Sequence, residues 1–217
     1  KKLTLKMQIR QEYYRVKELL DGKRPSRMDL FTYMDDEIYR ICVSGSHAKE
    51  NPFQQYLDFL YELGELSEDE QKLYAGIGRE FIQTIETTEM QKVYKMPILY
   101  SFYNHGNIRL AVTDEEVLES WKEFFDTGTN WKDFPNVNTY EDYKKVTDKQ
   151  HLSKAKRMPI RFLKASGKGF FVEKDGYALA LRDEIGDVVG NMAFGEQMGG
   201  KENGNVVFGI SYTGCEA

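Results

Sequence analysis

The strongest chemical signal in this sequence is a run of basic residues late in the chain. Between Gln150 and Lys174 there is one acidic residue, Glu173, and seven basic ones: Lys154, Lys156, Arg157, Arg161, Lys164, Lys168 and Lys174. All except Lys156 and Lys174 follow steps of three or four residues, so they would share one face of a continuous helix. Such a face can follow the phosphate backbone of a nucleic acid. The run therefore predicts a phosphate-binding surface.

A proline and three aromatic residues affect how this surface would work. Pro159 disfavours a helical residue before it, so we expect the helix to restart there. Phe170, Phe171 and Tyr177 follow a glycine turn, and of these Phe170 and Tyr177 are our candidates for stacking on exposed bases. The alternative is that the lysines only solubilise a helix while the aromatic side chains fill the core.

Two other motifs that carry chemistry are incomplete. Ser166-Gly167-Lys168-Gly169 matches only a fragment of a phosphate-binding loop, because the upstream glycine is absent and Gly169 replaces the Ser or Thr that binds magnesium. It predicts a flexible turn before a hairpin. Glu70-Gln71-Lys72 has the residue order of a nuclease motif, but it falls in a predicted acidic helix and not on adjacent strands.

The cysteines and histidines form no recognisable catalytic or metal-binding pattern. The residues concerned are far apart in the chain: Cys42, Cys215, His47, His105 and His151. No glycine-flanked nucleophile elbow is present, and the short ligand spacing of zinc sites is missing. We therefore predict no catalytic residue, no metal and no cofactor for this chain. An enzyme whose site is assembled from distant residues is an alternative.

Net charge alone would argue against a nucleic-acid partner. The 217 residues include 30 basic and 35 acidic ones, for a formal net charge of -5. Between Lys132 and Lys174, however, there are eleven basic and five acidic residues. Asp58–Glu89 shows the opposite bias, with nine acidic and two basic residues, and is expected to be a solvated helix face. Because the charge is unevenly distributed along the chain, the net negative charge does not exclude DNA or RNA as a partner.

Composition excludes several other protein classes. Two cysteines cannot form a disulfide scaffold or a four-cysteine zinc site. No run approaches the roughly 18 apolar residues that indicate a membrane-spanning helix. The first residues have no apolar core typical of a signal peptide. We therefore expect a cytoplasmic protein with no membrane partner.

The first half of the sequence is predicted to be helical. Apolar residues at helical spacing predict one helix over Leu5–Leu20 and a second that begins at Ser26. Asn51-Pro52 favours another helix start, and Ser67 with Glu70 forms a capping-box pattern for the next helix. A further helix is predicted over Arg79–Glu89.

Short extended segments enter the pattern after Met96-Pro97. Asn107–Val112 alternates in the manner of a strand, and Thr113 is a helix cap. Phe170–Glu173 and Tyr177–Leu181, joined through Asp175-Gly176, predict a β-hairpin. Met-Pro-Ile occurs at residues 96–98 and 158–160, which either marks a duplicated unit or is a coincidence.

Together these elements predict an α+β fold that is mainly helical, with one or two small antiparallel β-hairpins. We predict a helical acidic subdomain over residues 1–93 and a mixed helix and hairpin subdomain with the basic segment over 94–198. The glycine-rich tail, residues 199–217, differs in composition and carries a strand-like stretch from Val206 to Tyr212. One continuous domain is the alternative.

Three stretches resemble a known family. They are Pro25–Leu30 (PSRMDL), Lys95–Ile108 (KMPILYSFYNHGNI) and Phe170–Leu179 (FFVEKDGYAL). Together they resemble the C-terminal accessory region of some bacterial superfamily 2 DEAD/DEAH-box helicases, over about residues 1–198. The segment after Met198 does not match that region.

The resemblance implies a role in DNA transactions, in a protein whose ATP-driven motor lies elsewhere. None of the motor motifs occurs in this chain, so we expect no ATP hydrolysis, and the resemblance carries over no catalytic residue. The resulting hypothesis is a non-catalytic nucleic-acid-associated accessory module that contacts phosphates and partners a helicase motor domain. The alternative is a protein-interaction or oligomerisation module, in which acidic helices and surplus aromatic side chains dock a partner.

Overall fold

We describe the protein from a computed structural model, which defines residues 3–47, 49–88, 93–104, 107–189, 199–202 and 205–208. The chain divides into two compact units: the first contains Lys1–Thr87 with Asn191–Ala217, and the second contains Thr88–Gly190. Helices dominate, and the strands pair only in small antiparallel sheets. The predicted fold class, α+β and mainly helical, is therefore confirmed. The predicted subdomain boundaries after residues 93 and 198 stay a prediction.

The described residues of the first unit form six α-helices. Ser26 and Ser67 each accept a hydrogen bond from the third helical amide, which completes the predicted capping box at Ser67 and forms another at the predicted helix start, Ser26. Asn51 caps a 3-10 turn, and the helix expected there begins only at Tyr56. The helices are α1 (Leu5–Leu19), α2 (Arg27–Tyr33), α3 (Asp36–Val43), α4 (Tyr56–Leu63), α5 (Glu68–Ala75) and α6 (Ile77–Glu86), with 3-10 turns at Gly45–His47 and Pro52–Gln54.

The core of this unit lies between α1, α2, α3 and α4. Its fully buried members include Tyr13, Leu30, Phe53 and Leu60. Burying apolar surface of this kind is the main force that holds such short helices together, because isolated helices of eight residues are unstable in water.

The acidic stretch of the first unit is not simply a solvated face, as the sequence had indicated. Glu70 is completely buried and Glu86 is 5% exposed. Glu70 forms an ion pair with Arg24, and Glu86 forms one with the buried Arg27. The solvation prediction is therefore wrong for these two carboxylates, because basic residues 46 and 59 positions earlier in the chain neutralise them inside the fold.

The second unit combines helices with short strands. Its elements are α7 (Lys95–Phe102), β1 (Tyr103–Asn104), β2 (Asn107–Ile108), β3 (Ala111–Val112), α8 (Asp114–Asp126), α9 (Tyr140–Lys144), α10 (Asp148–Ala155), α11 (Arg161–Ser166), β4 (Phe171–Val172), β5 (Leu179–Leu181) and α12 (Gly186–Val189), with 3-10 turns at Asn130–Asp133 and Asp183–Ile185. The predicted hairpin is β4–β5, with Phe171 opposite Leu181. β3 adds to it as a third strand, with Val112 opposite Leu179.

Aromatic side chains fill the core of the second unit. Trp121 and Phe125 of α8 are fully buried, and their ring centroids lie 4.9 Å apart. Phe134 packs edge-on against Phe125, with 5.6 Å between the ring centroids. Leu163 on α11 and Phe170 before β4 are also buried. The second unit therefore uses most of its aromatic residues to exclude water.

One continuous helix carries most of the predicted site. Residues 148–166 run through α10, a π-helical segment at Lys156–Ile160, and α11; we call them the basic helix. The expectation that Pro159 restarts the helix is wrong. A proline ring clashes with the carbonyl four residues earlier in an α-helix, and the wider π turn accommodates it without breaking the helix.

The two Met-Pro-Ile segments occupy related places in this unit. The first lies in α7, the second lies in the π-helical segment, and these two elements contact each other. The strands that follow them, β3 and β5, are antiparallel neighbours. Duplication of a helix–strand unit stays a hypothesis.

Near the C-terminus, β6 (Gly199–Glu202) and β7 (Asn205–Phe208) form an antiparallel hairpin. The predicted strand from Val206 to Tyr212 thus overlaps β7, and its last four residues lie outside the described residues.

Candidate nucleic-acid interface

Residues spaced four positions apart along the basic helix have similar burial, and each such set forms a row along the helix. His151, Ala155, Pro159 and Leu163 form the row that faces the core, and all four are buried. In an α-helix a four-residue step drifts by about 40°, so this row would wind around the helix. The wider π turn counters that drift and keeps the buried row in line. Opposite it, each member of the row containing Ser153, Arg157, Arg161 and Ala165 is exposed.

The outer row therefore presents two arginines directly to solvent. Arg157 and Arg161 lie one turn apart, and neither forms an ion pair or a hydrogen bond within the described part of the chain. A guanidinium carries five N–H donors in a planar fork that matches a phosphate group. These two residues are the best-placed phosphate ligands of the predicted set.

The predicted single basic face divides among three rows of the helix. Lys154 lies on one flank, where its Nζ is 5.1 Å from the centre of the Tyr94 ring. On the other flank Lys156 binds Asp114 at 2.6 Å, and Lys164 is ion-paired with Glu173. These three lysines already have partners in the protein and lie outside the outer row.

The turn after the basic helix adds two further cations. Lys168 is exposed and adopts a left-handed conformation with φ 49°, next to Gly169 with φ 77°. Gly167 packs so closely that a Cβ there would lie 2.5 Å from the Leu163 carbonyl oxygen. The Ser166–Gly169 segment is thus a turn before the β4–β5 hairpin, as predicted, and it is closely packed at Gly167. Lys174, at the tip of the β4–β5 hairpin, lies 5.7 Å from the centre of the Tyr177 ring.

The two predicted stacking residues have different outcomes. Tyr177 is 45% exposed at the hairpin tip, so its ring is accessible. Phe170 is 1% exposed, and the Arg182 guanidinium covers its ring at 5.0 Å. The stacking prediction for Phe170 is therefore wrong, because its side chain belongs to the core. Phe162, which sequence reasoning missed, is 47% exposed beside Arg161; its place in the run KRMPIRFLK was the only available signal.

The positive charge of this surface is local. Residues 88–190 contain sixteen basic and sixteen acidic residues, so the second unit as a whole is neutral. The acidic helix α8 supplies Asp114 to Lys156 and Glu116 to Arg109. Phosphate attraction must therefore come from the exposed cations near the outer row and not from a uniform field.

His151 marks the inner side of the same helix. It is 3% exposed, packs against the rings of Phe134 and Tyr143, and its Nδ1 has no hydrogen-bond partner in the described structure. Burial lowers its pKa below the usual value, and the charge of Lys122 acts in the same direction. His151 is consequently an uncharged core residue at neutral pH, and its burial keeps the ring away from any molecule bound at the surface.

The described residues contain neither an accessible thiol nor a metal-binding cluster. Cys42 is fully buried, and burial raises the pKa of its thiol to about 11. No group of three or more His, Cys, Asp or Glu residues that could hold a metal ion occurs in these ranges. A cleft of about 180 Å³ in the first unit is lined by charged residues that include Lys6, Asp58 and Glu62. Lys6 pairs with Glu62 there, and Asp58 pairs with Arg79.

Comparison with known proteins identified no relative of this chain. No family model, curated protein or solved structure matches the chain. Within the described ranges, no helix has the length and apolarity that a bilayer span needs.

Proposed function

We propose that this chain is a non-catalytic, nucleic-acid-associated accessory module that contacts phosphates through the outer row of the basic helix. The observation that carries this proposal is the pair Arg157 and Arg161, both exposed and without partners in the described structure. Lys168 and Lys174 extend the surface beyond the end of the helix. Tyr177 and Phe162 are exposed rings available for stacking on unpaired bases.

The spacing of the arginine pair suits the phosphate backbone of a nucleic acid. Side chains one helical turn apart are about 5–6 Å from each other at Cβ, so two guanidinium groups can engage one backbone at successive positions. Phosphate contacts of this kind are independent of sequence, and they weaken as salt is added because counterions are released. We therefore expect DNA or RNA binding without strong base preference.

The helicase part of the proposal rests on the three stretches that resemble the accessory region of bacterial superfamily 2 helicases. In that setting the module works in the cytoplasm, next to a motor domain that hydrolyses ATP. Its contribution would be to hold nucleic acid while the motor moves. A pull-down with a purified motor domain of this class tests the partnership.

A fluorescence titration with labelled single-stranded and double-stranded DNA tests phosphate binding directly. The double variant R157Q/R161Q should bind at least tenfold more weakly at low salt. Its salt slope should be smaller by about 1.4 for single strands and 1.8 for duplex, as expected for two lost phosphate contacts.

The matched control is R10Q/R40Q, which removes two exposed arginines of the first unit that also lack partners in the described structure. This control should leave binding nearly unchanged. Absence of binding by the unmodified chain at low salt, or binding that does not respond to salt, would refute the proposal.

An aromatic stack in the first unit supports a second candidate function, self-association. The Tyr61 and Tyr74 rings stack with centroids 4.0 Å apart and an interplanar angle of 12°. Arg79 lies 4.4 Å from the centre of the Tyr74 ring, necessarily on the opposite face. The outer face of Tyr61, which is 55% exposed, is therefore the open end of the stack.

Light scattering over a range of protein concentrations tests self-association. A mass that rises with concentration and falls in Y61A would support it. Y33A is the control, because Tyr33 is also an exposed tyrosine of the first unit, at 47%. A strict monomer at all concentrations would exclude this candidate.

A further inference from the structure

The Lys164–Glu173 ion pair joins the basic helix to the tip of the β4–β5 hairpin. Lys164 lies one turn beyond Arg161, on the flank next to the outer row. Its ammonium group is bound by the Glu173 carboxylate, and Glu173 immediately precedes Lys174. Glu173 is also the one acidic residue between Gln150 and Lys174. A negative charge is thus fixed inside the only strongly basic stretch of the sequence.

From this arrangement we infer that Glu173 regulates the phosphate surface by occupying Lys164 in the free protein, and that a nucleic-acid phosphate displaces it. The inference rests on the proposed function and adds that the Glu173 carboxylate competes with phosphate for Lys164. In the free protein the surface presents Arg157, Arg161 and Lys168. In the complex, Lys164 joins them once its carboxylate partner is replaced by a phosphate oxygen.

Exposure of the pair supports displacement over a structural role. The Glu173 side chain is 83% exposed, whereas the Lys164 side chain is 32% exposed. An ion pair open to solvent on one side contributes little to folding, because water competes with both charges. Lys164 lowers the pKa of Glu173, so the carboxylate is charged at neutral pH and holds the lysine. A phosphate carries the same charge and can make the same contact.

Removal of the carboxylate should therefore strengthen nucleic-acid binding through Lys164 specifically. E173Q leaves the number of phosphate contacts in the complex unchanged, because Lys164 binds phosphate in both proteins, so the salt slope should stay nearly the same. The gain comes from the ion pair that no longer has to be broken before Lys164 can bind. We expect E173Q to bind roughly threefold more tightly than the unmodified chain at 50 mM salt.

The matched control is E141Q. Glu141 and Lys144 form an exposed lysine–glutamate pair on α9, so this variant makes the same change in net charge and also releases a lysine. It should change DNA affinity by much less than E173Q. Equal gains in the two variants would show that only net charge matters and would overturn the inference.

A double-mutant cycle isolates the pair itself. K164Q should weaken binding only slightly, since Glu173 already neutralises Lys164 in the free protein. The gain from E173Q should disappear in K164Q/E173Q. An undiminished gain in the K164Q background would exclude displacement at Lys164. Circular dichroism of each variant confirms that the fold is retained.

These outcomes separate the inference from the proposed function. If the unmodified chain and E173Q both fail to bind DNA or RNA at low salt, phosphate binding itself is wrong. If the unmodified chain binds and R157Q/R161Q weakens it, while E173Q matches the unmodified chain, phosphate binding stands and the competitor role of Glu173 is refuted.

Discussion

Replacing Glu86 by alanine should destabilise the first unit strongly, because it leaves a buried guanidinium without its counter-charge. The side chains of Arg27 and Glu86 are 8% and 3% exposed. Arg27 also donates to the Phe53 carbonyl oxygen at 3.0 Å and lies 5.5 Å from the centre of the Tyr56 ring. In E86A the desolvated guanidinium loses the buried carboxylate of this ion pair.

The expected cost follows from this burial. Removing one partner of a buried ion pair costs about 3–5 kcal/mol, since the remaining charge keeps its desolvation penalty. A small domain has a total free energy of unfolding of about 5–15 kcal/mol, so the loss is a large share of it. E62A is the matched control, because the Lys6 and Glu62 side chains are 59% and 50% exposed. It should cost about 1 kcal/mol or less.

Urea unfolding followed by far-UV circular dichroism measures both variants. Trp121 and Trp131 are the only tryptophans, and both belong to the second unit, so their fluorescence is a separate record of that unit. The double variant R27M/E86L should recover most of the lost free energy, because two apolar side chains need no desolvated charge. A loss in E86A as small as that in E62A would refute the reasoning. So would a double variant as unstable as E86A.

Three further predictions concern single residues. G167A should lower the free energy of unfolding by about 1–3 kcal/mol in urea titrations. The new Cβ would lie 2.5 Å from a backbone oxygen and 2.6 Å from a ring carbon. The control G45A has open space around its Cβ and should be nearly neutral. Burial holds the pKa of His151 below its unfolded value of 6.5. The second unit should therefore lose stability as pH falls below 6.5, by at most about 1.4 kcal/mol per pH unit, and tryptophan fluorescence should show this loss reduced in H151Q. In a C215S background, Cys42 should react with a thiol reagent only after denaturant is added, because the side chain is buried and its pKa is raised to about 11. Rapid labelling of the folded protein would contradict its burial.

Local sequence signals predicted the elements well where they act within one turn of chain. The capping boxes at Ser26, Ser67 and Thr113 all form, because each needs only residues three positions apart. The β4–β5 hairpin forms around a turn whose Gly176 has φ 81°. Asn51 was harder to interpret, since the side chain that caps a 3-10 turn is the same one that caps an α-helix.

Within the candidate site, the sequence could predict the exposure of a side chain only where its surroundings are local. The basic run placed seven cations within 21 residues of sequence, and Arg157 and Arg161 are exposed as a solvent-facing helix requires. The sequence could not identify Asp114 as the partner of Lys156, because the two are 42 positions apart. Nor could it separate Phe170 from Tyr177, since packing decides which aromatic ring stays exposed.

The sequence by itself determined the mainly helical α+β class, the helix starts at Leu5, Ser26, Ser67 and Thr113, and the location of the basic run, because these depend on periodicity and on contacts within a few residues. Tertiary structure decided which charges are free. It buried Glu70 and Glu86 against arginines from distant positions, and it continued the basic helix through Pro159 by a π turn. The physical reason is that burial and pairing depend on neighbours brought together by the fold, so a charge visible in the sequence is free in the unbound protein only where no folded partner neutralises it.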